Sequence, residues 1–132
     1  MSVDFEWPVR VYWEDTDAGG IVYHASYLRF LERGRSEWLR DRGVDQAALR
    51  DRERLQFAVV DMQIEWKRAA RFDDELTVVT AFGASAGASF SFAQRIVRGA
   101  ELIVAAQVRA AALDADTLRP RRLPQHVTQL FT

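Results

Sequence analysis

The chain has 132 residues, and its 18 Lys and Arg residues nearly balance 19 Asp and Glu residues, giving a formal net charge of -1. This length predicts one compact domain over residues 1–132, and the charge balance gives no bulk electrostatic reason to bind nucleic acid or an anionic membrane. The absence of cysteine excludes disulfides and thiolate chemistry, and without a signal-peptide pattern or a long apolar stretch we expect a cytoplasmic protein that does not span a membrane.

The first half of the chain predicts an edge strand and then one long helix. The strand runs over Phe5 to Trp13, and Pro8 restricts it to an edge because proline cannot donate a hydrogen bond to a neighbouring strand. The helix runs over Ser26 to Arg42, and Gly43 follows its last turn as a stop signal. Its apolar face carries Tyr27, Leu31, Gly34 and Trp38.

The second half of the chain predicts four strands after a polar stretch from Asp45 to Arg54. These strands are residues 58–66, 75–82, 89–97 and 103–113. The first two alternate apolar and polar residues, and the third is rich in aromatic and β-branched residues. The alanines of the fourth would tolerate a helix, but the neighbouring strand and short turn favour pairing. Turn residues at Gly83 to Gly87 and Arg98 to Glu101 indicate antiparallel connections.

This order of elements predicts an α+β fold, in which a curved antiparallel sheet of about five strands wraps around one long central helix. One helix cannot cover both faces of such a sheet. We therefore expect a second copy of the chain to cover the outer face or a sheet edge, in a homodimer or a homotetramer. A basic, turn-rich extension follows the last strand at Arg119 to Pro124.

The segment from Trp13 to Tyr27 is the least ordinary part of the sequence, with three acids, two glycines and one of the two histidines directly ahead of the helix. The Gly19-Gly20 pair allows a ligand or another segment to approach Asp17 closely. Unpaired N–H groups at the helix start can bind a developing oxyanion, so a carboxylate beside them is suited to attacking a carbonyl or activating water. Carbonyl hydrolysis follows as a hypothesis.

The stretch Glu14-Asp-Thr-Asp-Ala-Gly-Gly-Ile-Val-Tyr-His-Ala-Ser-Tyr27 resembles the signature of the hotdog-fold 4-hydroxybenzoyl-CoA thioesterase family, and especially its YbgC-type branch. The similarity continues through Phe30 to Leu39 and Arg68 to Asp74, and weakly through Arg119 to Pro124. One departure is Trp13, where YbgC-type sequences often carry tyrosine. The resemblance implies hydrolysis of an acyl-CoA thioester, with coenzyme A as part of the substrate and no separate cofactor.

The resemblance also implies a role for individual residues of the loop. It makes Asp17 the nucleophile or the general base, and it places His24 beside the thioester, where the imidazole helps to orient substrate or water. It assigns the oxyanion and loop backbone to Gly19, Gly20, Tyr23 and His24. From the residues alone, Asp17 is also compatible with a turn or helix-cap role, and His24 with a packed, hydrogen-bonded role.

Further groups are weighed against this site. Glu32 and Glu37 are reserve candidates because other hotdog thioesterases carry the catalytic glutamate on the helix, although a solvated helix face explains both. A metal site built from Glu14, Asp15, Asp17 and His24 is not expected, because consecutive residues on an extended chain point to opposite faces. The four tryptophans are expected in the core or at a subunit contact. The candidates for binding the coenzyme A phosphates are Lys67, Arg68, Arg71, Arg119, Arg121 and Arg122.

Two other functions remain open from the sequence. One is a hotdog dehydratase acting on hydroxyacyl thioesters, which would use His24 as its base. The other is a non-catalytic partner of a lipid or envelope assembly, because YbgC-type proteins are associated with the Tol-Pal system. The complete Asp-Ala-Gly-Gly signature from Asp17 to Gly20 favours the thioesterase over the dehydratase.

Overall fold

A computed structural model describes residues 4–132 of the chain. A five-stranded antiparallel sheet forms the body of the molecule, with its strands side by side in the order β1-β3-β4-β5-β2. The strands are β1 (Phe5–Arg10), β2 (Leu55–Trp66), β3 (Glu75–Ala86), β4 (Ser89–Arg98) and β5 (Glu101–Asp114). The helices are α1 (His24–Asp41), α2 (Gln46–Glu53) and α3 (Gln125–Thr128). The hotdog arrangement expected from the sequence is confirmed.

Helix α1 packs against β1, β3 and β4. Its closest approach to the sheet is at Gly34, where an added Cβ atom would lie 2.5 Å from Cγ1 of Val78. The buried residues of this face include Tyr27, Phe30, Leu31 and Trp38. The aromatic side chain of Phe131, near the chain end, packs against Trp38 and closes the core at the end of α1.

Several element boundaries differ from the sequence prediction. Helix α1 begins at His24 rather than Ser26, with Tyr23 as its N-cap, and Gly43 follows it with φ of 85° as the stop signal requires. The predicted turn at Gly83 to Gly87 is only Gly87-Ala88, because β3 continues to Ala86 across a register shift after Phe82. Strand β1 ends at Arg10, and it lies at the sheet edge as Pro8 predicts.

Helix α2 lies in the polar stretch for which no element is predicted. Asp45 caps its start, because the carboxylate accepts a hydrogen bond from the N–H of Ala48 at 3.0 Å. Leu49 is the only residue of α2 that is fully buried, so the helix shows almost no apolar periodicity. The cap was the available signal, since Asp ahead of Gln-Ala-Ala-Leu is typical of a helix start.

Candidate active site

Asp17 lies at the tip of a tight hairpin directly ahead of α1. The hairpin is closed by an antiparallel bridge between Thr16 and Val22, and the N–H of Asp17 donates to the carbonyl of Ile21 at 2.9 Å. Gly20 has φ of 80°, which lets the chain reverse within so few residues. The side chain of Asp17 is exposed, and Oδ1 accepts the N–H of Gly19 at 2.8 Å. Within residues 4–132, Oδ2 of Asp17 accepts no hydrogen bond, so one carboxylate oxygen faces solvent.

Asp15 differs from Asp17 because its side chain is part of the local structure. Asp15 is buried, and Oδ2 accepts the N–H of Tyr12 at 2.8 Å. Its backbone carbonyl accepts both the N–H of Tyr23 and the hydroxyl of Ser26, each at 2.9 Å. These contacts join the two ends of the loop to the helix start. Asp15 is therefore committed to holding the loop, whereas Asp17 is free to meet a ligand.

The first turn of α1 provides backbone donors next to this hairpin. The N–H of Tyr23 is taken by Asp15, and the N–H of Ser26 donates to the carbonyl of Tyr23. In the described part of the chain, the N–H groups of His24 and Ala25 have no acceptor. Of the residues predicted for the oxyanion site and the loop backbone, Gly19, Gly20 and Tyr23 use their N–H groups within the loop itself. Ala25 was missed because the helix was predicted to begin two residues later.

His24 lines a cavity of about 250 Å³ that lies between the start of α1 and the end of β2. The imidazole meets the indole of Trp66 edge-on, with ring centroids 4.9 Å apart. Lys67 and Arg68 line the same cavity, so the structure brings three predicted site residues together. Asp17 is not among the lining residues of this cavity. It stands on the adjacent hairpin.

The segment from Ala69 to Asp74 supports the hairpin from below. Val22 donates its N–H to the carbonyl of Ala70, whose own N–H donates to the buried hydroxyl of Tyr27. Burial raises the pKa of the Tyr27 phenol, which keeps it neutral and suited to this structural role. The segment turns on the carboxylate of Asp74, which accepts the N–H of Arg71 at 2.8 Å and the guanidinium of Arg98 at 2.7 Å.

Burial and neighbouring groups shift the pKa of the Asp74 carboxylate in opposite directions. Burial acts to raise the pKa, but the hydrogen bonds from Arg71 and Arg98 and the charges of these residues outweigh it, so the pKa lies below its ordinary value. Asp74 is therefore charged at neutral pH. Its ion pair with Arg98 fixes the segment on which the hairpin rests.

Trp13 stacks on Phe72 with ring centroids 3.5 Å apart and planes inclined by 7°. Trp13 is 68% exposed, so it forms an aromatic surface beside the hairpin and does not pack in the core. The four tryptophans thus divide. Trp38 is buried and Trp7 packs partly against the core, whereas Trp13 and Trp66 are exposed in a single chain.

The candidate phosphate ligands fall into two groups. Arg71 forms an antiparallel bridge with Ile21 of the hairpin, and Ile21 lines the same cavity as Lys67 and Arg68. Arg121 lies at the other end of β5, where its guanidinium donates to the carbonyls of Glu53 and Arg54, and Arg119 pairs with the same end of the strand. The backbone N–H of Lys67 donates to the carbonyl of Ile103, and that of Arg121 donates to the carbonyl of Ala112. Because these two acceptors are about nine residues apart on β5, ~30 Å separates the two groups within one chain.

The reserve carboxylates have local partners. Glu32 accepts the hydroxyl of Ser36 and Glu37 pairs with Arg40, which fits a solvated helix face. Among residues 4–132, no group of three His, Asp or Glu side chains is arranged to hold a metal ion. In the same part of the chain, no helix is both long and apolar enough to cross a membrane.

The fold and the loop geometry agree with what the chain is similar to. Residues 11–131 match the model of the thioesterase-like superfamily. The chain is 45% identical over 128 residues to the acyl-CoA thioester hydrolase YbgC of Escherichia coli O6:H1, covering 96% of this chain and 95% of the relative. It is 42% identical to the acyl-CoA thioesterase YbgC of Haemophilus influenzae, covering 96% and 93%.

A solved structure agrees with these relatives. The crystal structure of a probable thioesterase from Bartonella henselae superposes with a TM-score of 0.88 at 42% identity, covering 92% of this chain and all of the other. The family match and these alignments therefore extend over most of the chain. The chain belongs to the thioesterase-like superfamily.

Proposed function

We propose that the protein hydrolyses acyl-CoA thioesters, with Asp17 as the catalytic carboxylate. The observation that carries the assignment is the contrast between the two aspartates of the loop. Asp15 is buried and fully engaged, whereas Asp17 stands exposed at the hairpin tip with one free oxygen. Both the family and the names of its YbgC relatives support thioester hydrolysis.

The backbone supplies the electrophilic half of the reaction. The thioester carbonyl oxygen accepts hydrogen bonds from the N–H groups of His24 and Ala25. These groups lie at the positive end of the α1 dipole, which stabilises the oxyanion that develops. The imidazole of His24 lies at the rim of this site against Trp66. In this position it orients the substrate or the attacking water.

Asp17 supplies the other half in one of two ways. As general base it removes a proton from water, the water oxygen attacks the carbonyl carbon, the C–S bond breaks and coenzyme A leaves as its thiolate. As nucleophile its own oxygen attacks the carbonyl carbon, the C–S bond breaks, coenzyme A leaves as its thiolate, and water then hydrolyses the resulting mixed anhydride. Single turnover in labelled water separates the two routes, because only the nucleophilic route places the label in the Asp17 carboxylate.

The decisive experiment is Asp17→Asn, assayed by thiol release from a panel of acyl-CoA chain lengths. We expect kcat to fall by about 10²–10⁴-fold, the usual contribution of a positioned acid or base. Stability should hardly change, because the side chain is exposed and the amide oxygen can still accept the N–H of Gly19. Glu14→Gln is the matched control, since Glu14 is an exposed acid of the same loop. An active Asn variant would contradict the assignment.

The same panel tests the two other functions. A dehydratase would release no thiol from saturated acyl-CoA but would add or remove water on hydroxyacyl and enoyl substrates. A non-catalytic partner of a lipid or envelope assembly, such as the Tol-Pal system, would release no thiol from any substrate. Both alternatives are disfavoured by the match to the thioesterase-like superfamily and by relatives that are named as acyl-CoA thioester hydrolases.

The coenzyme A phosphates are proposed to bind Lys67, Arg68 and Arg71. These cations lie around the His24 cavity or on the segment that supports the hairpin. Lys67 pairs with Glu65 at 2.7 Å in an exposed ion pair, so a phosphate that binds Lys67 competes with this carboxylate. Arg119 and Arg121 of the same chain lie at the far end of β5, and they leave this proposal unless a second copy brings them near.

A second copy is proposed to pair with the outer edge of β2. This strand ends the sheet, and Val59, Val60 and Trp66 are each about half exposed along it. An exposed apolar edge strand is a template for pairing with another chain. Sedimentation equilibrium distinguishes a dimer or tetramer from a monomer. A cytoplasmic location stays a prediction, for which cell fractionation is the measurement.

A further inference from the structure

A second, smaller cavity lies between α1 and strands β2, β4 and β5, away from the hairpin of Asp17. Its volume is about 110 Å³. Three aromatic rings and three polar helix residues face it. These are Phe57, Phe90, Phe92, Glu32, Arg35 and Ser36.

Arg35 is the unusual member of this lining. It is only 9% exposed, and its Nη1 donates to Oε1 of Gln94 at 3.0 Å. The amide of Gln94 is itself fixed, because its Nε2 donates to the carbonyl of Leu31 and to the hydroxyl of Thr80. Thr80 and Gln94 are both buried. Arg35 is therefore anchored at one nitrogen by a network that cannot easily rearrange.

The charge of Arg35 has no carboxylate in contact. Within residues 4–132, no Asp or Glu oxygen lies within 4.0 Å of its guanidinium nitrogens. Glu32 lies one turn away on the same helix, but its carboxylate accepts the Ser36 hydroxyl. Burial lowers the pKa of Arg35, and the negative charge of Glu32 offsets only part of this. A buried cation without an anion is unfavourable, so a ligand that supplies one is stabilised.

We propose that Arg35 and its cavity form a binding site for a carboxylate group. The anchored Nη1 leaves Nε and Nη2, the side of the guanidinium that matches the two oxygens of a carboxylate. The aromatic walls suit the methylenes or ring that carry this group.

A carboxylate can reach this site from two sources, the far end of an acyl group or a free carboxylic acid. The first source rests on the proposed thioester hydrolysis, and the second does not. Arg35 lies roughly 15 Å along α1 from the N–H groups of His24 and Ala25, so the acyl chain must be long to reach it. Dodecanedioyl-CoA and dodecanoyl-CoA have twelve-carbon acyl chains that differ only in the terminal group, so their ratio of kcat/KM isolates the first source. Calorimetric titration with adipate and hexanoate, at constant ionic strength, isolates the second.

Arg35→Met should lower the preference for dodecanedioyl-CoA over dodecanoyl-CoA, or the affinity for the free acids, by about 10- to 100-fold, the usual range for a charge-assisted hydrogen bond. Arg35→Lys keeps the charge but loses the fork, and it should retain part of the effect. Glu32→Gln should tighten carboxylate binding because it removes the nearest negative charge. Arg33→Met is the matched control, because Arg33 is exposed on the same helix.

The wild-type protein keeps the test decisive if Arg35→Met does not fold. If the wild type shows neither a preference for dodecanedioyl-CoA nor binding of either free acid, the proposed carboxylate site is refuted. If neither acyl-CoA is hydrolysed, the proposed function fails, and the calorimetric titration still decides on Arg35. A change confined to one source supports the site and identifies its ligand.

Discussion

Gly34→Ala tests how closely α1 must approach the sheet. An added Cβ atom would lie 2.5 Å from Cγ1 of Val78, and it would also crowd the Thr80 hydroxyl at 3.1 Å and the Gln94 amide at 3.2 Å. Val78 and Thr80 are fully buried, and a β-branched side chain on a strand has little rotamer freedom to move away. The helix must therefore shift from the sheet.

Two opposing effects set the magnitude. Replacing glycine by alanine inside a helix stabilises it by about 1 kcal/mol, whereas overpacking a core costs about 1–3 kcal/mol. Because three neighbours are crowded at once, we expect the larger cost and a net loss of about 1–2 kcal/mol in the free energy of unfolding. Urea denaturation measures this loss.

The control for Gly34→Ala is a pair of variants at the preceding helix position, Arg33. Arg33 is exposed, so the difference between Arg33→Gly and Arg33→Ala measures helix propensity without a clash. If Gly34→Ala raises the free energy of unfolding by the same amount as this difference, the close contact between α1 and the sheet is refuted.

Two further predictions concern the loop and its support. Asp15→Ala should lower the free energy of unfolding by about 1–3 kcal/mol, because the N–H of Tyr12 loses its acceptor. When both variants are compared by chemical denaturation, Asp15→Ala should show this loss and Asp17→Asn should not. The lowered pKa of Asp74 means that its ion pair with Arg98 stabilises the fold above the ordinary carboxyl pKa of about 4, and that this contribution is lost as the pH falls through the lower folded value. Acid titration of Asp74→Asn should accordingly show a shallower loss of stability below that pH, and a slope equal to that of the wild type would contradict the role of the pair.

Local patterns were sufficient for most elements. Alternation predicted β2 and β3, and the short turn at Gly99 correctly favoured a strand for the alanine-rich β5. Periodicity failed for α2, because Leu49 is its only fully buried residue. It also placed the start of α1 two residues late, since the cap at Tyr23 depends on contacts with Asp15 rather than on a capping side chain.

The sequence by itself singled out the segment from Trp13 to Tyr27 as the candidate site. Its acids, glycines and histidine lie close together in the chain, so no distant partner is needed to recognise the pattern. Only the tertiary structure decided how the acids divide. Asp15 is buried because the ends of the loop close on it, and Asp17 is exposed because Gly20 turns the chain at the hairpin tip. The structure also separated the basic residues by the length of β5 and placed Arg35 beside Gln94, 59 positions away. Such neighbours are set by strand order and helix packing, which local sequence patterns do not specify.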